Sequence, residues 1–284
     1  MAGLLPFATP TALDYFAALV ADDSSLPLLE AAFALALDDD PGLDVQGELA
    51  RIDALAENLR SRIPADTAPL PRLRLLNRYF FDELGFAGNV NHYYDPCNSL
   101  LPAVLQTRRG IPITLALLYI EFAAQIGLSA QGVSFPGHFL VKIHLPRGEV
   151  VIDPFSGQSL SRDELDERLA PYLRQEGLVG DNEVPLGLFL QPAPARDVLA
   201  RMLRNLKEIH RQAGDARRLV GVLERLVVLL PQDWDERRDL ALALADVGRH
   251  AGAAHELSAY LLNRPQADDA PALRHRLQAW RRLG

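Results

Sequence analysis

The hydrophobic period of this chain changes once, near residue 128, and changes back near residue 161. Before the change, apolar residues recur every three to four positions. Leu13, Phe16, Ala17 and Val20 do so, as do the run LPLLEAAFALAL (26–37) and Leu49, Ile52, Leu55, Ala56, Leu59 and Ile63 within 48–63. In HFLVKIHL (138–145) the period falls to two. PRGE then makes a turn and EVVID (149–153) returns. Alternation of this length marks half-buried strands, whereas the flanking spacing marks amphipathic helices. The expected fold is therefore α+β, mostly helical, with a small antiparallel sheet.

Turn chemistry punctuates the helices. PADTAPLP (64–71), with three prolines, reads as a connection, and LRLLNRYFFDELG (73–85) as a helix ended by Gly85. FAGNVNHYYDPCNS (86–99) has no period, and a loop of this length is often functional. SLLPAVLQTRRG ends at Gly110. Pro112 falls in the first turn of the next helix, which is expected to run to about Ile126 and stop at Gly127. Ser161 and Glu164 have the spacing of a capping box. The Gly/Pro-rich stretch 176–195 reads as a linker. Beyond it RLVVLLPQDW (225–234) aligns with AYLLNRPQAD (259–268) at an offset of 34, the period of tetratricopeptide helix pairs. Three regions follow: 1–72, helical and packed on the core; 73–180, containing the sheet; and 195–284, repeat-like helices.

Composition narrows the class of function. A net charge of −8 argues against a broad nucleic-acid surface. The apolar runs are too short to span a bilayer, and MAGLLPFATPTALDYF has no basic residues ahead of its apolar ones, so neither a membrane span nor a signal peptide is expected. A cytoplasmic protein fits this balance. Cys97 is the single cysteine, so neither an intramolecular disulfide nor a multi-cysteine zinc site can form. A ligand set of His92, Asp95 and His138 has no recognised spacing, and no metal or other cofactor is expected.

A helix start at Pro112, then His138, then Asp153 is the chain order of a papain-like or transglutaminase-like site. Such a site needs a nucleophile, a histidine beside it and a polar group that orients the histidine. The hairpin turn brings His138 and Asp153 within a few residue pairs. Around them the loop supplies Tyr94, Asp95 and Asn98 as candidate binding residues, with Asn98 placed to cap the following helix. Thr114, near the helix start, is a further candidate.

NRYFFDELGFAGN, YYDPCNSLLPAVLQTRRGIPITLALLYIE, GVSFPGHFLVKI and VIDPFSG resemble, in order and spacing, the blocks of the SirB-type transglutaminase-like family. The helical N-terminus and the repeats resemble that family's layout. The resemblance implies a transglutaminase-like (papain-like) core. Enzymatic members of the superfamily read Gly-x-Cys, fifteen residues to a Gly-Ile/Leu pair, His at a strand start, and Asp-Pro. The matching residues here are Gly110-Ile111-Pro112, Gly127-Leu128, His138 and Asp153-Pro154. The histidine and aspartate carry over, and the nucleophile falls on proline. The expectation is a non-catalytic protein that binds a peptide or protein partner through its cleft and repeats. The alternative is a cysteine-dependent acyl transferase or amide hydrolase in which Cys97 is the displaced nucleophile, His138 the base and Asp153 its orienter.

Overall fold

The computed structural model describes residues 10–178 and 184–283. Residues 1–9, where no signal peptide is expected, and 179–183 of the expected linker lie outside them. Contacts divide the chain into two compact units, Met1–Leu43 with Leu199–Gly284, and Asp44–Val198.

In the first unit, helix α1 (Ala12–Leu19) starts at a capping box of Thr11 and Asp14 and buries Phe16. It packs on α2 (Leu28–Ala34) and on α10 (Ala216–Leu229). Arg225 of α10, 2% exposed, forms a two-pronged ion pair with Asp38, in the 3₁₀ turn that follows α2. Helices α11 (Trp234–Asp246), α12 (His250–Asn263) and α13 (Ala270–Trp280) continue the stack, each packed on its predecessor. Trp234, Leu257, Tyr260, Leu273 and Leu277 fill the spaces between them. This is the nearest-neighbour burial that a 34-residue repeat imposes.

In the second unit, α3 (Val45–Arg60) and α4 (Pro69–Asn77) both pack on α6 (Pro112–Gln125). The grouping therefore differs from the three regions drawn from composition: α1 and α2 fall with the repeats, and α3 falls with the sheet. Of the three prolines in the expected connection, Pro64 lies in it, and Pro69 and Pro71 open α4. A proline in the first turn loses no helical hydrogen bond, because that N–H has no partner anyway. Helix α4 continues into a π-helical turn at Arg78–Glu83, and Gly85 follows at φ 74.

Helix α6 is apolar except at Thr114, Glu121 and Gln125, and it packs against strands β3 (Ser129–Val133) and β4 (Leu140–Leu145). These continue antiparallel into β5 (Gly148–Asp153) and β6 (Gln158–Leu160), in the order β3-β4-β5-β6. The chain is thus α+β and mostly helical, with two small sheets. The second face of the main sheet is covered by Leu165 and Leu169 of α7 (Arg162–Gln175) and by Leu186 of α8 (Leu186–Phe189). Central strand β4 is consequently buried on both faces, and even Lys142 is only 7% exposed. The stretch read as a linker is partly structured. Val133 bridges to Pro192 and Ala193 N–H donates to Gly132 O at 2.8 Å, covering the edge of β3. Among the described residues no helix is long and apolar enough to cross a membrane.

Candidate functional site

The site is built around Asp153, the last residue of β5 and 4% exposed. Its Oδ1 lies 2.8 Å from His138 Nε2 and accepts the Phe155 N–H at 2.9 Å, and its Oδ2 accepts from Arg168 of α7 at 3.2 Å. Burial alone raises the carboxyl pKa. The hydrogen bond and charge of His138, the Phe155 N–H and Arg168 outweigh burial and hold it well below the usual carboxylate range. His138 lies just before β4 rather than opening it, in a turn closed by its N–H on Phe135 O at 3.0 Å. In register Val141 faces Ile152, and the turn swings the imidazole onto the carboxylate. With Nε2 committed to Asp153, Nδ1 is the ring nitrogen left for a reacting group.

A second element splices this pair to the start of α6. Strand β1 (Ala87–Gly88) pairs in parallel with β2 (Arg109–Gly110), and Gly88 aligns with Gly110. Gly88 N–H donates to Phe155 O at 2.9 Å, and Asn89 N–H donates to Gly110 O at 3.1 Å. One short ladder therefore connects the residues beside Pro112 to the residues beside Asp153. The Phe155 ring lies over Gly88, where a Cβ would come within 2.4 Å of it. It also meets the His138 ring edge-on at 6.5 Å and the Tyr93 ring at 5.9 Å. Gly88→Ala is expected to overpack this contact, lose about 2 kcal/mol in urea denaturation and shift the His138 ring resonances. Unchanged stability with unmoved resonances would mean that Phe155 is not held there.

Pro112 is the first residue of α6, behind the N-cap Ile111. Thr114 is fully buried. Its hydroxyl accepts Ile111 N–H at 3.2 Å and reaches Asn98 O at 2.8 Å and Ile111 O at 3.0 Å, so it ties the helix start to the loop. Asn98 is buried as well, and it does not cap the next helix, α5 (Leu101–Thr107), which has no side-chain cap. Its amide donates to His92 O and Tyr93 O, and its carbonyl accepts from Asn89, so it holds the loop's own backbone. The cap in this loop is Asp95, whose carboxylate accepts Cys97 N–H at 2.9 Å at the start of the 3₁₀ turn Pro96–Ser99. Tyr94 is 72% exposed and meets Tyr93 edge-on, and Cys97 is exposed. Among the described residues no three His, Cys, Asp or Glu side chains converge, so His92, Asp95 and His138 form no ligand set.

The sequence reading missed Arg168, Phe155 and Gly88. Phe155 carried a faint signal, an aromatic just after Asp-Pro. Arg168 carried none, because nothing local links α7 to the end of β5.

Comparison with known proteins bears on this geometry. A family model described as the transglutaminase-like superfamily matches residues 47–204, more than half the chain, and a tetratricopeptide-repeat model matches 206–278. A UPF0162 protein of Xylella fastidiosa is 37% identical over 257 residues, 90% of each chain. The chain belongs to the transglutaminase-like superfamily and to the UPF0162 family. The Pseudomonas aeruginosa UPF0162 protein is 29% identical over 204 residues, 72% of each chain. UPF0162 protein YchA of Escherichia coli is 27% identical over 230 residues, 80% of this chain and 82% of its own. The transglutaminase-like match includes His138, Asp153, Arg168 and the β1–β2 ladder.

Proposed function

We propose that this transglutaminase-like protein, in the SirB-type branch, is a non-catalytic cytoplasmic protein that binds a peptide or protein partner. The transglutaminase-like unit and the repeats are its recognition surfaces. The observation that carries the reading is Pro112 at the first position of α6, where the superfamily pattern has cysteine. Proline brings no nucleophile to the helix start and removes one of the N–H groups that would stabilise an oxyanion. Thr114, the nearest hydroxyl downstream, is buried and bonded within the fold. Repeats support partner binding, and the net charge of −8 directs the choice toward protein rather than nucleic acid. Purified protein is expected to show no amide hydrolysis or transamidation on generic glutaminyl and peptide substrates. A steady activity abolished by His138→Ala would overturn the reading.

One observation favours a second reading, an acyl transferase or amide hydrolase using Cys97. Tyr93 in the Cys97 loop packs on Phe155, which packs on His138, so the loop abuts the dyad. On the preferred reading Cys97 alkylates at the rate of an ordinary free thiol, and His138→Ala leaves that rate unchanged. A rate at pH 7 about tenfold above a free-cysteine standard, falling in His138→Ala, would put the enzyme reading first.

A further inference from the structure

Arg108 breaks two local rules at once. It follows the last turn of α5 with φ 60 and ψ 21, and is the one non-glycine residue of positive φ among those described. A left-handed residue after a helix is ordinarily glycine, which has no Cβ to crowd the following carbonyl. Its side chain is also costly. The guanidinium lies 4.5 Å over the Phe86 ring, and its Nη1 is shielded from solvent with no acceptor. Among the described residues no carboxylate reaches it. Burial first, and then the charge of Arg51, hold its pKa below the usual arginine value. A residue that is strained in its backbone and unpaired in its charge is the kind that a fold retains for a ligand.

The surroundings indicate the ligand. Arg51 pairs loosely with Glu48 at 3.6 Å. Arg62 lies 5.2 Å over the ring of Tyr79 and shares Glu83 with Arg78, at 2.7 and 3.6 Å. Arg51, Arg62 and Arg78 thus occupy Glu48 and Glu83, and neither glutamate pairs with Arg108. We infer that Arg108 anchors a carboxylate-binding site, which takes an aspartate or glutamate side chain from an acidic segment of a partner protein. Guanidinium and carboxylate match as a two-pronged hydrogen-bonded pair, here through Nε and Nη2, because Nη1 is covered by the protein. The Arg108 carbonyl accepts from Ala87 N–H at 3.0 Å and from Arg109 at 2.9 Å, and Phe86 supports the guanidinium face. The anchor is therefore held in place before the ligand arrives. The proposal uses neither His138 nor Asp153, and failure of either reading leaves the other standing.

The test is calorimetric titration of the full-length protein at low salt with a hexaglutamate peptide and, separately, with inorganic phosphate. Hexaglutamate is expected to bind the wild type. Its affinity should fall about tenfold in Arg108→Gly and stay within about twofold in Arg147→Gln, which removes the same charge from the exposed β4–β5 turn. Arg108→Gly should also melt no lower than the wild type, because glycine adopts φ 60 without strain. Equal losses in both variants, or no binding by the wild type, would reduce the site to general charge attraction and overturn the proposal. Phosphate binding tighter than hexaglutamate would overturn the assignment to a peptide carboxylate. A clear drop in melting temperature for Arg108→Gly would make the guanidinium a structural part of the fold and overturn the proposal.

Discussion

Pro112→Cys, made together with Cys97→Ser, is expected to give a thiol that iodoacetamide alkylates about ten times faster at pH 7 than a free-cysteine standard. An ordinary thiol of pKa about 8.5 is only a few per cent thiolate at that pH. A thiol on the first turn of α6 gains from the positive end of the helix dipole and from the free backbone N–H groups there. An imidazole already oriented by Asp153 at 2.8 Å adds a partner for the thiolate. The β1–β2 ladder supplies the connection, since it joins Gly110, two residues before Pro112, to Phe155, two residues after Asp153. The rate should fall back toward the standard when His138→Ala is added. A slow thiol, indifferent to that change, would mean that the helix start does not face the imidazole, and the correspondence of position 112 with the lost nucleophile would fail. A fast thiol would show that one residue separates this chain from acyl-transfer chemistry.

Asp153→Ala is expected to cost about 3 kcal/mol in urea denaturation, because it removes a buried acceptor from three donors at once. Arg168 and His138 keep part of their surface in water, which keeps the cost below that of breaking a fully buried pair. The pH dependence has a definite sign. The folded-state carboxyl titrates below its unfolded value of about 3.9. Its stabilisation is therefore complete above about pH 4 to 5 and is lost as pH falls below that toward the folded-state pKa. The wild type and Asp153→Ala should differ most at neutral pH and converge in acid. Parallel curves down to about pH 2, or a difference below about 1 kcal/mol, would show that this carboxylate does not anchor the hairpin end.

How much of this was legible depended on how local the cause was. The Ser161–Glu164 capping box, Pro112 at the first turn of α6 and the 34-residue repeat were readable because each rests on residues within one turn or one repeat. The β4–β5 hairpin was readable because its alternation and its turn lie together in the chain. Strand β3 was not. Its sequence SAQGV carries little apolar pattern, and Gly132 is there because the Phe139 ring occupies the space that a Cβ would take. The two-residue strands β1 and β2 are too short for any period, yet they join the helix start to the dyad. Asn98 had the composition of a cap and became a loop brace, because the neighbouring carbonyls of His92 and Tyr93 needed a donor once buried.

The sequence by itself determined the helix and hairpin inventory, the repeat, the resemblance to the transglutaminase-like pattern and the proline at its nucleophile position. These follow from periodicity, capping and residue identity, which act over a few residues. Only the tertiary structure decided that α1 and α2 share a unit with the repeats, that Arg168 and the Phe155 N–H complete the hold on Asp153, and that Arg108 stands strained without a counter-charge. Each of those depends on which surfaces distant segments bury against one another, and burial sets the cost of an unpaired donor or charge only once the chain has closed around it.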